Sequence, residues 1–267
     1  MLRAMRFLAA LVALSLPAAA QEVEPLCPLR PPPMAMLHEA ALHGPAPSAG
    51  SVRLRYVEHS MILIETPGGA SAITDYFSSS PLAGFAPDLA TMNRGHSTHW
   101  TAAPDPAIDT VLRGWEPPRE AVVADMAVRG VPTDLRGGFE GGMIPDGNAI
   151  FVFRVGDLCI AHFGHLHHEP TEEDYAALGR IDVAIAPVDG GLTLPHETLV
   201  RTLGRLQAAV VIPVHWFGRG TLDAFLSRMD EEGWRIETAR SASITIEEPL
   251  SPFEDQRVAV LIPARLR

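Results

Sequence analysis

The sequence predicts an α/β fold of stacked layers, and three observations predict it. Short strands form an antiparallel meander after residue 51, helices and buried strands alternate from residue 171 onward, and histidines and aspartates gather where apolar runs end.

Val52, Leu54 and Tyr56 alternate with Arg53 and Arg55, the period of a half-buried strand. Residues 61–64 (MILI) predict a more buried strand, closed by the turn Pro67-Gly68-Gly69. Residues 70–74 return as a third strand and stop at Asp75-Tyr76, which completes a meander resembling one layer of a sandwich. Residues 89–93 read as the next strand. The Pro-rich stretch 103–118 reads mostly as loop, with a short helix around residues 108–113. Residues 122–131 alternate enough for one or two strands, and the glycine-rich 137–147 reads as a loop near the site. Residues 149–153 and 158–161 flank Gly156-Asp157 as a hairpin.

Thr171-Glu172-Glu173-Asp174 matches a capping box and opens a helix that runs to Gly179. Residues 183–186 predict a buried strand. Residues 195–206 predict an amphipathic helix with Leu199, Leu203 and Leu206 on one stripe. Residues 210–214 (VVIPV) are a buried strand ending at His215. Residues 222–232 form a helix with Gly233 just past its end, and 243–246 and 258–262 are late strands. There is no tandem repeat and no second domain in this pattern, so residues 51–267 read as one domain.

Composition bounds the function. Hydrophobic residues make up 47% of the 267 and charged residues 20%, enough apolar material for a sizeable core. A net charge of −11 speaks against nucleic acid as a partner. Past the N-terminus no stretch is long and apolar enough to span a bilayer. Arg3 and Arg6, the apolar run 7–16 and the small residues Ala18-Ala19-Ala20 form the pattern of a cleaved export signal over residues 1–20. The expectation is a secreted or periplasmic protein beginning near Gln21; losing two arginines and no acid takes its net charge to −13. Residues 21–50, with Arg30-Pro31-Pro32-Pro33, read as an extended arm. Cys27 and Cys159 are the only cysteines. An oxidising compartment permits a disulfide between them, but Cys159 could equally be a small buried hydrophobe.

The chemistry points to histidine. His59 sits between two early strands, Asp75 ends the third, and His96 and His99 follow the fourth. His162, His165, His167 and His168 follow Cys159-Ile160-Ala161, and His215 ends the 210–214 run. In layered α/β folds strand ends open onto one rim, where ligands collect. Imidazoles turned toward one point there suit a transition metal. His167 and His168 read as outer or solvated, since neighbours on an extended chain face opposite sides.

Four segments carry a resemblance. YVEHSMILIETPGGASAITDY, TMNRGHSTHW, AHFGHLHH and VVIPVHWFG occur in the order and spacing of a metallo-β-lactamase-fold protein, and the chain resembles the branch that contains ascorbate-6-phosphate lactonase. The resemblance covers roughly residues 52–247 and implies a four-layer αββα sandwich. TMNRGHSTHW stands in place of the family's H-x-H-x-D-H signature, with Arg94 for its first histidine, His96 and His99 for its second and third, and Thr98 for its aspartate. Leu135 stands where a further histidine is expected, and His165 replaces the metal-bridging aspartate. What this implies is one divalent metal, zinc first, held by His96, His99, His165 and His215, or by three of them plus water.

On that reading Asp75 and His59 serve catalysis, as hydrogen-bond acceptor or proton carrier beside a metal-activated water, and Arg94 binds an anionic part of a small-molecule substrate. The expected activity is hydrolysis of an ester, lactone, amide or phosphodiester. The alternative is a catalytically inactive metal- or ligand-binding protein on the same fold, which a closed coordination sphere would favour. The sequence is silent on oligomeric state.

Overall fold

The computed structural model describes residues 26–27, 37–38, 46–77, 85–137, 141–252 and 254–262; the expected export signal and most of the 21–50 arm lie outside them. Strand β1 (Leu37–His38) belongs to the arm. The meander is β2 (Ser51–Glu58), β3 (Met61–Glu65) and β4 (Ser71–Ile73), followed by β5 (Leu89–Met92) and β6 (Thr110–Arg113). Next come β7 (Glu120–Val123), β8 (Met126–Arg136), β9 (Met143–Val155) and β10 (Leu158–His162). The alternating half is α1 (Glu172–Leu178), β11 (Val183–Pro187), α2 (His196–Leu206), β12 (Val210–Val214) and α3 (Arg219–Glu231), closed by β13 (Arg235–Thr238), β14 (Ser243–Glu247) and β15 (Arg257–Val260).

These strands make two mixed sheets. One has seven strands in the order β1-β14-β2-β3-β4-β5-β6, the other eight in the order β13-β15-β12-β11-β10-β9-β8-β7. The period-2 alternation of side chains decides the layers. Val52, Leu54, Tyr56, Ile62 and Ile64 of the first sheet face Phe151, Phe153, Val210, Ile212 and Val214 of the second in one central core. From the same strands of the second sheet, Ile150, Val152, Ala184 and Val211 point the other way, against Leu178, Leu199, Leu203, Leu222 and Phe225 of the three helices. Strands buried on both faces must read as unbroken apolar runs, and VAIAP and VVIPV do. Fully burying one of those phenylalanines contributes about 1.5–3 kcal/mol. The outer face of the first sheet carries Val57, Met61, Leu63 and Met92, covered among the described residues by loops bearing Tyr76, Ile108, Trp100 and Trp115. The two face-to-face sheets of the expected αββα sandwich are thus present; among the described residues all three helices lie on the second sheet, and loops form the outer layer of the first.

Three elements differ from the sequence reading. Residues 110–113 are a strand rather than part of a short helix, because β6 pairs parallel to β5 from Leu89↔Thr110 to Met92↔Arg113. The glycine-rich 137–147 is not all loop. β9 begins at Met143, pairing Arg136↔Met143 and Leu135↔Ile144 across an irregularity at Thr133/Leu135. β13 was not foreseen; its exposed, charged residues (RIET) pair parallel to β15 at the sheet edge.

The two cysteines do meet: Cys27 and Cys159 form a disulfide. The Cys27 carbonyl also accepts the Arg180 amide at 3.0 Å, so the arm is fastened to the start of β10 beside the helical layer.

Candidate metal centre at the strand ends

The site lies where strands from both sheets end. His59 occupies the β2–β3 turn, Asp75 follows β4, His96 and His99 follow β5, His165 follows β10, Asp189 follows β11 and His215 follows β12. Three of these residues, His59 (φ 51°), Asp75 (φ 44°) and His215 (φ 55°), hold the left-handed backbone conformation uncommon for side-chain-bearing residues. At a strand end that conformation turns the chain sharply away from the sheet. The amide of His215 donates to the His59 carbonyl at 2.8 Å, which ties the ends of the two sheets together, and the Tyr56 hydroxyl donates to the same carbonyl at 2.8 Å.

Five imidazoles gather here. One nitrogen from each of His59, His96, His99 and His215 lies within 4.8 Å of the others. The His165 ring stands nearly perpendicular to His96, His99 and His215, with centroids at 5.0, 4.8 and 4.9 Å. Of the residues expected to bind metal, His96, His99 and His215 belong to that group; His165 stands beside it at the rim, and His59 takes the fourth place.

Hydrogen bonding at the outer nitrogens sorts the rings. His99 Nδ1 is 2.5 Å from Asp75 Oδ2, and His215 Nδ1 is 2.7 Å from Asp189 Oδ2. An ionised carboxylate only accepts, so both Nδ1 atoms carry hydrogen and both Nε2 atoms present a lone pair inward. His96 Nδ1 meets the Thr98 hydroxyl at 2.8 Å, a partner of either sense, and its Nε2 lies 3.3 Å from His215 Nε2. The Nε2 atoms of His59, His99 and His165 are buried without a hydrogen-bond partner. Buried unpaired nitrogen is costly, and a cation at the common centre would satisfy those that offer a lone pair. The donor set fits a divalent metal that favours imidazole.

The acids are built in as firmly as the rings. Asp75 is fully buried and also accepts from Asn93 Nδ2 at 2.9 Å. Burial alone would raise its pKa, but His99, His162 and Asn93 together hold it below the ordinary carboxylate range. Asp189 Oδ1 accepts the amides of Gly191, Leu192 and Thr193 at 3.0, 2.7 and 2.9 Å, and Oδ2 accepts the Thr193 hydroxyl at 2.7 Å. Against its own burial, these bonds and His215 keep it ionised. The carbonyls of the same three residues accept from Arg136 Nη2 at 3.1, 2.7 and 2.9 Å, so loop 189–193 is held from both sides.

Asn93 and Asn148 brace the floor. Asn93 Oδ1 accepts the Ala149 amide at 2.7 Å, and Asn148 Oδ1 accepts the His165 amide at 2.7 Å. Gly95 lets the His165 ring lie flush on the backbone, since a Cβ there would come within 2.6 Å of the ring.

Other expected residues fall outside the ring of imidazoles. The exposed Arg94 places its guanidinium over Trp115, 5.7 Å from the ring centroid. His162 is buried in the floor with Nε2 3.0 Å from the Ser60 carbonyl. His167 is half-buried with Nε2 2.7 Å from His165 Nδ1. Sequence reasoning missed Asp189, Asn93 and Asn148. Asp189 carried a usable signal, an acid just past a buried strand, as Asp75 is. The exposed Phe217 edges the rim, its centroid 5.1 Å from His215 and 5.5 Å from His59.

Burial and the neighbouring rings lower the pKa of His59 to about 3, of His96 to about 4 and of His165 to about 2. Their folded values lie below the unfolded value near 6.5, so the stability they carry is complete above about 6.5 and is lost progressively as pH falls from there through the folded values. For the well-buried His165 alone the loss between pH 7 and 5 is about 2 kcal/mol. Asp182, raised to about 6 by burial, works the other way below that pH, but as a single group. Metal-free protein is therefore expected to unfold at markedly lower urea concentration at pH 5 than at pH 7. Equal midpoints would mean that the imidazoles are not held neutral.

No functionally curated protein matches the chain by sequence. The family model described as a beta-lactamase superfamily domain matches residues 53–215, well over half of the chain. Among solved structures, a metallo-beta-lactamase superfamily protein from Thermotoga maritima is similar at TM-score 0.58 and 22% identity, over 79% of this chain and 98% of that one. Igni18, a metallo hydrolase from Ignicoccus hospitalis, is similar at 0.54 and 15%, over 80% and 96%. CmlA, a diiron beta-hydroxylase from Streptomyces venezuelae, is similar at 0.53 and 11%, over 81% of this chain and 54% of that one. At these identities the structural likenesses speak to fold alone, and the named neighbours differ in chemistry. The chain belongs to the beta-lactamase superfamily and has the metallo-β-lactamase fold.

Proposed function

We propose that this protein is an exported metal-dependent hydrolase of a small ester, lactone, amide or phosphodiester, with zinc the first candidate metal. The observation that carries the reading is the arrangement of His96, His99 and His215. An oxygen of Thr98, Asp75 or Asp189 holds each Nδ1, which leaves the Nε2 atoms to face one centre. A divalent metal bound there would acidify a water and polarise the scissile carbonyl or phosphoryl oxygen.

The chain's own residues supply the rest. Asp75 and Asp189 fix the tautomer and aim of His99 and His215, so they act through those rings. His59, neutral at pH 7, offers a lone pair beside the centre to ligate or to accept a hydrogen bond. Phe217 gives the rim an apolar platform for the part of the substrate that does not react. Arg94, on the loop after β5 that carries His96 and His99, would meet an anionic substituent. The apolar run 7–16 and the Cys27–Cys159 disulfide support export to an oxidising compartment.

A second reading, a metal-binding protein without catalysis, draws on His59. With its Nε2 as fourth ligand the sphere would close. Metal analysis, X-ray absorption and a panel of esters, lactones, amides and phosphodiesters separate the two. The expected result is about one equivalent of divalent metal, three imidazole ligands, and turnover abolished by a chelator and restored by zinc. Four imidazoles and no turnover across the panel would favour the binder, and metal-free protein after growth in zinc would sink both.

A further inference from the structure

The expectation from motif position is that His165, standing where relatives carry a bridging aspartate, gives its Nε2 lone pair to the metal. The hydrogen bonds behind it lead elsewhere. The Arg136 backbone amide donates to His167 Nδ1 at 2.7 Å. An amide N–H has no other role, so that Nδ1 is bare, and the neutral His167 ring must carry its hydrogen on Nε2. His167 Nε2 lies 2.7 Å from His165 Nδ1 and donates to it. His165 Nδ1 is then the acceptor, and its own hydrogen sits on Nε2, the buried atom without a partner. This is the reverse of His99 and His215, whose carboxylate partners force hydrogen onto Nδ1.

We propose that His165 is a hydrogen-bond donor to the substrate rather than a metal ligand: its ring packs edge-on against those of His96, His99 and His215, yet it stands outside the group of nitrogens that could share an ion. This rests on the metal-centre reading above. A hydrogen pointing at a cation is repelled by it, so the natural acceptor is an oxygen that gathers negative charge: the carbonyl oxygen of an ester or lactone, or a phosphoryl oxygen. Three features fix the donor in place. The His165 amide is held by Asn148, and the ring lies on Gly95. Arg136, whose amide starts the relay, is anchored by its guanidinium to the carbonyls of Gly191, Leu192 and Thr193. His167 and Arg136 are thus positioning residues.

Nitrogen-15 NMR of the unmodified protein reads the tautomers directly. With zinc bound, His165 is expected to keep hydrogen on Nε2, while His99 and His215 keep it on Nδ1. His165→Phe is expected to retain one equivalent of zinc with affinity within about threefold, and to lose about 100-fold or more in kcat with little change in KM. His167→Glu puts an acceptor behind His165, which should move its hydrogen to Nδ1 and tighten zinc binding at least tenfold. Hydrogen on His165 Nδ1 in the unmodified protein, or zinc lost from His165→Phe in a folded state, would overturn the proposal. Failure of the unmodified protein to bind zinc would instead overturn the metal centre, while the metal-free spectrum still decides the tautomer.

Discussion

Replacing His96 and His215 together by alanine is expected to abolish stoichiometric metal binding while the fold persists. Structural zinc sites with four protein ligands bind with about 10–16 kcal/mol, or roughly 3 kcal/mol per ligand. Two lost ligands should therefore weaken binding by at least about 1,000-fold. The two rings come from different sheets, so the pair tests whether both sheets contribute to one centre. The fold should tolerate the change. Asp189 keeps three backbone amides and the Thr193 hydroxyl when His215 is gone, and His96 is partly exposed. Elemental analysis after dialysis gives the metal content, and circular dichroism reports the fold. Metal content unchanged in the double variant would end the proposed centre.

The second large effect belongs to the disulfide. Cys27 and Cys159 are 132 residues apart in sequence, so the bond closes a long loop in the unfolded chain. The chain-entropy model gives about 4–5 kcal/mol for a loop of that size, and losing a native disulfide costs about 2–5 kcal/mol in practice. Cys27→Ser with Cys159→Ser is expected to lower the urea midpoint by that equivalent and to remove its sensitivity to reductant. The metal centre should survive at room temperature, because Cys159 lies near the start of β10 and His165 beyond its other end. Identical midpoints with and without reductant for the unmodified protein would show that the tether adds no stability.

The parts of the site that the sequence revealed share one trait. His59, His96, His99, His165 and His215 each stand at or just past an apolar run, and the run marks a strand that delivers its end to the rim. Asn93 and Asn148, which brace the floor, are not ionisable and do not stand out; Asp189 has the same strand-end position as the histidines but a turn-like sequence that masks it. Asp189, in Asp189-Gly190-Gly191, looks like any turn aspartate until His215 is seen against it. His167, expected to be outer or solvated, does stand outside the ring of imidazoles, but half-buried and bonded to His165 rather than free in solvent. Residues two apart share a side of an extended chain, which is how His167 comes to stand behind His165. The fold shows the same division. Buried strands such as β11 and β12 were legible as apolar runs. β6 and β13 were not, because strands about twenty residues away decide them rather than local pattern, and the outer part of β9 was hidden by its exposed, glycine-rich sequence although it pairs with neighbouring β8.

The left-handed turns at His59, Asp75 and His215 bear on how tightly the rim can hold a guest. Each such conformation costs on the order of 1–3 kcal/mol, and the packed strand ends impose it during folding. A cation arriving afterwards has little chain left to immobilise. Less of the binding free energy of such a cation would then be lost to ordering its ligands.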